Sequence, residues 1–184
     1  MTIKKIRSEL LEIIKREAYF KGKIKLSSGK ESDYYIDMRR VTLNAEGVWR
    51  AARLILDRVH DEHIEAIGGP TLGADPLLGA LAVLSVQAGR PLNTFIIRKE
   101  SKAHGLKRQI EGPPLKEGSR VVLIDDVATT GKALLESLDI LSGLKVKVVK
   151  ALCLVDRNEG AAEALASRGC PLVSIFNISE FHQL

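Results

Sequence analysis

Val121-Val122-Leu123-Ile124-Asp125-Asp126-Val127-Ala128-Thr129-Thr130-Gly131-Lys132-Ala133 is the stretch on which the reading of this chain turns. A short apolar run of strand composition ends in two adjacent carboxylates, a turn with two hydroxyls and a glycine follows, and a helical pattern runs over residues 132–141. An uninterrupted apolar strand leading into a helix is half of a βαβ unit in a sheet covered on both faces. The first helical turn leaves backbone N–H groups unpaired at the positive end of the dipole, which makes it a seat for an anion. Thr129 and Thr130 add hydroxyl donors, and Gly131 lets the backbone come close. Asp125 and Asp126 offer acceptors suited to vicinal hydroxyls, or to a metal held by them. Phosphate and diol together describe a ribose 5-phosphate. The acidic pair alone could simply turn the chain, with Thr130 as a helix cap; the whole order is what points to a ligand. A Walker-type P-loop is excluded, because Asp126 stands where its first glycine belongs and Ala133 where it needs Ser or Thr.

Outward from this stretch the same alternation repeats. Strand-like segments fall at residues 64–67, 94–97, 146–155 and 173–176, and helical patterns near 76–87 and 161–168. The spacing predicts an α/β fold with a parallel sheet and helices on both faces. Ligands of such sheets bind beyond the carboxyl ends of the strands, here residues 68–75, 98–112, 125–132 and 156–159. Residues 99–118 are polar and without periodicity, and loops of that length are usually functional. Toward the N-terminus, residues 2–18 read as a helix capped by Thr2. Short strands are expected at 23–26 and 34–37, and a helix capped by Asn44 runs to about residue 60.

The 184 residues are 45% hydrophobic and 28% charged, which suits one folded domain over 1–184, divided into residues 1–43 and a core over 44–184. Lys and Arg number 28 against 23 Asp and Glu, a mild positive excess that fits an anionic ligand without calling for nucleic acid. No apolar run could span a bilayer and no secretory signal is visible, so no membrane partner and a cytoplasmic location are expected. Cys153 and Cys170 are too few for a disulfide scaffold or a cysteine zinc site.

The stretch at 121–133 resembles the phosphoribosyl-diphosphate (PRPP) motif of type I phosphoribosyltransferases. The resemblance implies that Asp125 and Asp126 engage the ribose hydroxyls while Ala128, Thr129, Thr130, Gly131, Lys132 and Ala133 wrap the 5-phosphate, with Val127 between them also in the PRPP-binding stretch. Ala133 stands where Ser or Thr is usual, so one hydroxyl contact is missing. Four further segments agree with orotate phosphoribosyltransferases, and the first two of them narrow the likeness to that family. Arg98-Lys99-Glu100-Ser101-Lys102-Ala103-His104-Gly105 is similar to that family's catalytic loop, and Ser28-Gly29…Tyr34-Tyr35-Ile36-Asp37 to its N-terminal hairpin, part of a small hood over the base. Gly68-Gly69-Pro70-Thr71-Leu72-Gly73 is similar to its pyrophosphate-facing loop, with Gly73 where some members carry Lys. Val155-Asp156-Arg157 is similar to the strand end whose Arg meets the orotate carboxylate.

The resemblance implies transfer of the phosphoribosyl group from PRPP to orotate, giving orotidine 5′-monophosphate and pyrophosphate, in pyrimidine biosynthesis. Lys99, Lys102 and His104 would act on the leaving pyrophosphate, with Arg98 adding to their positive field, and Asp125 and Asp126 complete the catalytic set. Orotate would be held by Thr129 and Arg157. Mg²⁺ is expected to come bound to PRPP, with no direct protein ligand. A homodimer that shares the loop across subunits is expected. Two alternatives stand beside this: a phosphoribosyltransferase for another base, and a PRPP-sensing regulator without catalysis. The second rests only on the basic loop, for the N-terminal segment lacks a DNA reader and the chain lacks an aromatic platform for single strands. His60, His63 and His182 read as ordinary surface or helix-end residues, Trp49 as a packing or interface residue and Cys153 as a buried thiol.

Overall fold

The computed structural model describes residues 1–25, 31–60, 63–99 and 109–182. Helix α1 (Ile3–Glu17) begins at Thr2, whose hydroxyl accepts from the Lys5 amide, and buries Ile6, Leu10 and Ile14 on one face. An antiparallel ribbon follows, β1 (Tyr19–Lys25) paired with β2 (Glu31–Ile36). The short α2 (Arg39–Thr42) leads into α3 (Ala45–Val59), where the Asn44 side chain accepts from the Gly47 amide at 3.0 Å, as the cap reading expects.

Then comes the alternating core: β3 (Ala66–Pro70), α4 (Asp75–Gln87), β4 (Asn93–Ile97), β5 (Ile110–Glu111), β6 (Arg120–Ala128), α5 (Lys132–Gly143), β7 (Lys147–Asp156), α6 (Ala161–Ala166), β8 (Leu172–Asn177) and α7 (Ser179–His182). The six strands form one sheet in the order β5-β4-β3-β6-β7-β8, parallel except for the β4–β5 edge pair. Alternation along β6 sends Val122 and Ile124 into a core with α1, α3 and α4, and Val121 and Leu123 into a second core with α5 and α6. The sheet is therefore covered on both faces, as the apolar runs of its strands require. Helix α1 lies in the first of these cores, beside α3, while the β1–β2 ribbon forms a sheet of its own.

Three expectations need correction. Strand β6 does not stop at Ile124 but runs through Asp125, Asp126, Val127 and Ala128, because β7 continues alongside it to pair Asp125 with Cys153 and Ala128 with Asp156. Residues 99–118 are not wholly irregular: β5 lies within them, and Ile110 pairs with Ile97. The ribbon strands begin earlier than expected, at Tyr19 and Glu31.

Candidate active site

The carboxyl ends of β3, β4, β6 and β7 converge on a cleft of about 580 Å³ lined in part by Lys99, Asp125, Asp126, Thr129 and Arg157. A second hollow of about 200 Å³ opens beside it, lined by the turn Ala128–Ala133 together with Asp125 and Val127. Asp125, Val127, Thr129 and Ala133 border both, so the expected phosphate seat and the expected diol acceptors share one wall. Helix α5 starts from Gly131 in the left-handed region (φ 78°), with no side-chain cap. Thr130 therefore does not cap the helix, and its first-turn N–H groups are left for a ligand. Gly131 also lies against Ala161, so a side chain would be cramped as well as strained.

The two acids are half-buried at the end of a strand. The Asp126 amide donates to Asp125 Oδ1 at 2.9 Å, and the Val127 amide to Asp126 Oδ1 at 2.8 Å. Burial pushes the Asp125 carboxyl well above the usual carboxylate range; the Asp126 charge adds to this and Lys99 opposes it. Burial raises Asp126 too, against the pull of its hydrogen bonds and of the Arg39 charge. Both groups are thus poised to gain from an incoming donor or cation. The loop after β3 presses on them: a side chain at Gly73 would collide with both carboxylates, so the glycine here is a close approach of backbone to the acidic pair.

Arg157 follows the last residue of β7 and is largely buried. Its amide donates to the Ala128 carbonyl at 2.9 Å, its Nε donates to the Tyr34 hydroxyl at 3.0 Å, and its Nη2 pairs with Glu159 at 2.8 Å. The ion pair is with Glu159 rather than with Asp156, whose Oδ1 accepts from the Asn158 amide. Lys132 borders the smaller hollow, 3.8 Å from Glu136 across one helical turn.

Arg98 is not brought to this cleft. Its amide donates to the Gln109 carbonyl and its guanidinium meets Glu111 at 3.4 Å, on a separate hollow that Lys99 also borders. Lys102 and His104 lie outside the described residues. Two cleft residues lie outside every motif quoted from the sequence: Met38 and Arg39. The Arg39 Nε donates to Asp37 at 3.0 Å, which holds a positive charge on the rim near Asp126. The signal for it was a basic residue two places after the Asp that ends the hairpin motif. Cys153 is buried on β7 in register with Asp125, and burial, with Asp156, pushes its thiol far up.

A family model described as "Phosphoribosyl transferase domain" matches residues 42–180. The orotate phosphoribosyltransferase of Thermosynechococcus vestitus is 45% identical over 175 residues, 95% of this chain and 92% of that protein. The crystal structure of Mycobacterium tuberculosis orotate phosphoribosyltransferase in complex with Fe(III) dicitrate superimposes with a TM-score of 0.85 at 37% identity, covering 96% of this chain and 98% of the other. The same protein in complex with PRPP gives a TM-score of 0.81 at 33% identity, covering 96% and 99%.

Proposed function

The chain belongs to the phosphoribosyltransferase family, in its orotate-specific branch, and we infer from this that it joins orotate to the phosphoribosyl group of PRPP, releasing pyrophosphate and orotidine 5′-monophosphate for pyrimidine biosynthesis. The observation that carries the reading is the continuity of the two hollows around Asp125–Ala133, with Arg157 fastened beside them by one main-chain hydrogen bond. Sugar phosphate and carboxylated base are joined in the product, and here their two seats are joined in the protein.

In the reaction the anomeric C–O bond to pyrophosphate breaks and a bond from the base nitrogen forms as that nitrogen gives up its proton, with positive charge developing on the ribose ring. Catalysis of such a step is mostly positioning and electrostatics. Asp125 and Asp126 would accept from the ribose hydroxyls and lie close to the developing charge. The turn Ala128–Ala133 would hold the 5-phosphate through backbone N–H groups and the Thr129 and Thr130 hydroxyls, with the N–H of Ala133 present but no hydroxyl there. Lys99 would face the pyrophosphate, joined by Lys102 and His104 of the following segment. Arg98 would contribute only after turning from Glu111. Arg157 would bind the orotate carboxylate as a planar donor pair, with Thr129 also reaching the base.

Mg²⁺ is proposed to arrive on PRPP. Among the described residues no three His, Cys, Asp or Glu side chains gather as a metal cage, while Asp125 and Asp126 offer oxygen donors on the cleft wall. When bound, the ion would neutralise charge on the pyrophosphate oxygens. A homodimer in which one subunit's loop completes the other's site is part of the same proposal, as is a cytoplasmic location, which suits two cysteines that are buried and unpaired.

Orotate depletion measured with PRPP and Mg²⁺, against uracil and hypoxanthine, tests the reading. Consumption of orotate alone is expected. Equal use of uracil would overturn the role given to Arg157.

A further inference from the structure

The Arg157 guanidinium is held by two groups that do not line the cleft. Nε donates to the Tyr34 hydroxyl at 3.0 Å, and Nη2 pairs with Glu159 Oε1 at 2.8 Å. These two nitrogens form one edge of the planar fork. With that edge taken, the outer edge, Nη1 and the second Nη2 hydrogen, is left to a carboxylate in the cleft, which it matches with two parallel hydrogen bonds. The Tyr34 ring is fixed in turn. It stacks on the buried Tyr19 at 5.7 Å between centroids, Tyr19 stacks on Phe181 at the same distance, and the Arg157 guanidinium lies 5.0 Å from the Tyr34 centroid. A column of rings rooted in the core thus ends in a hydroxyl that sets the angle of one guanidinium.

We propose that Tyr34 is a positioning residue for recognition of the base carboxylate, acting through Arg157 and contributing nothing to the phosphate end of the ligand. The inference rests on the orotate reading of the site. A hydroxyl fixed on Nε stops the fork rotating about its stem, so that its free edge is already oriented when the carboxylate arrives. Glu159 does the same from the other nitrogen and balances the charge of the guanidinium between turnovers.

The test compares orotidine 5′-monophosphate with uridine 5′-monophosphate, which differ only in the carboxylate, by calorimetric titration of the full chain. The wild type is expected to prefer the carboxylated nucleotide. Tyr34→Phe keeps the ring stack and removes the hydroxyl. It is expected to cut that preference about tenfold, the scale of one charge-assisted hydrogen bond. Affinity for the uridine nucleotide and the KM for PRPP should stay at wild-type values, while the melting temperature falls by only a few degrees as one hydrogen bond is lost. In an Arg157→Lys background, Tyr34→Phe should cause no further loss, since it acts only through the fork. A preference undiminished in Tyr34→Phe, or an equal loss for both nucleotides, overturns the inference while the orotate reading stands. A wild type that binds both nucleotides alike overturns the orotate reading itself, and the inference with it.

Discussion

Asp125 and Asp126 are held in a state that costs the empty protein stability. Their carboxyls ionise less readily when folded than when unfolded, because burial outweighs the opposing charges of Lys99 and Arg39. A raised carboxyl favours folding fully at pH below the ordinary value of 3.8, and that contribution is lost as pH climbs through the raised values. Asp125→Asn keeps an oxygen for the Asp126 amide and removes the charge. It is expected to melt higher than wild type at neutral pH, by about 2–4 °C for each kcal/mol relieved in a chain of this size. The gap should close as the solution is acidified toward the unfolded range, and thermal melts across pH would read it. The same variant should lose most of its turnover. Lys102→Ala is a different case: if Lys102 acts on the leaving group as proposed, loss of one preorganised charge costs roughly 3–4 kcal/mol of barrier in comparable sites, so turnover should fall by about two to three orders of magnitude with the melt unchanged. Near-normal turnover in that variant would contradict its assignment.

The turn between β6 and α5 is where backbone conformation matters most. Gly131→Ala forces a side chain into a left-handed position and against Ala161, and is expected to cost about 1 kcal/mol or more of stability and to raise the KM for PRPP. A melt together with PRPP saturation curves would check it. That turn, the helix after it and the parallel order of the core were legible in the sequence, because apolar runs, a glycine and a capping Asn or Thr each carry a local physical signature. The end of β6 was not. Aspartate is depleted in strands, so Asp125-Asp126 reads as a stop, and only the neighbouring β7 ladder shows that pairing continues. β5 was equally hidden, since two residues carry no period. The orientation of Arg98 was hidden for the same reason as β5: its guanidinium meets Glu111, which lies on that strand. Arg39 owes its place to Asp37 and to the packing of the ribbon, which no local pattern records.

The architecture brings the two ends of the chain together in one core. Arg7 of α1 meets Glu180 at 2.7 Å, donates to the Ile175 carbonyl and lies over the Phe176 ring, tying the first helix to the last strand and helix. If the loop acts across subunits, neither a Lys102→Ala protein nor an Asp125→Asn/Asp126→Asn protein can complete a site alone. Mixing the two after dissociation should restore about a quarter of wild-type activity, since random pairing makes half the dimers hybrid and each hybrid has one intact site. No recovery on mixing would mean that each loop serves its own subunit.

The hydrogen bond from the Arg157 amide to the Ala128 carbonyl has one more consequence. It locks the proposed anchor for the base and the proposed turn for the phosphate onto adjacent strands of one sheet, which would give the protein a built-in ruler between two anionic groups. A compound that spans both anchors with a rigid spacer of nucleotide length would meet two prearranged sites for a single loss of rotational and translational freedom. One whose spacer is longer or shorter by a single bond would forfeit one anchor outright, because a paired sheet does not stretch to meet it.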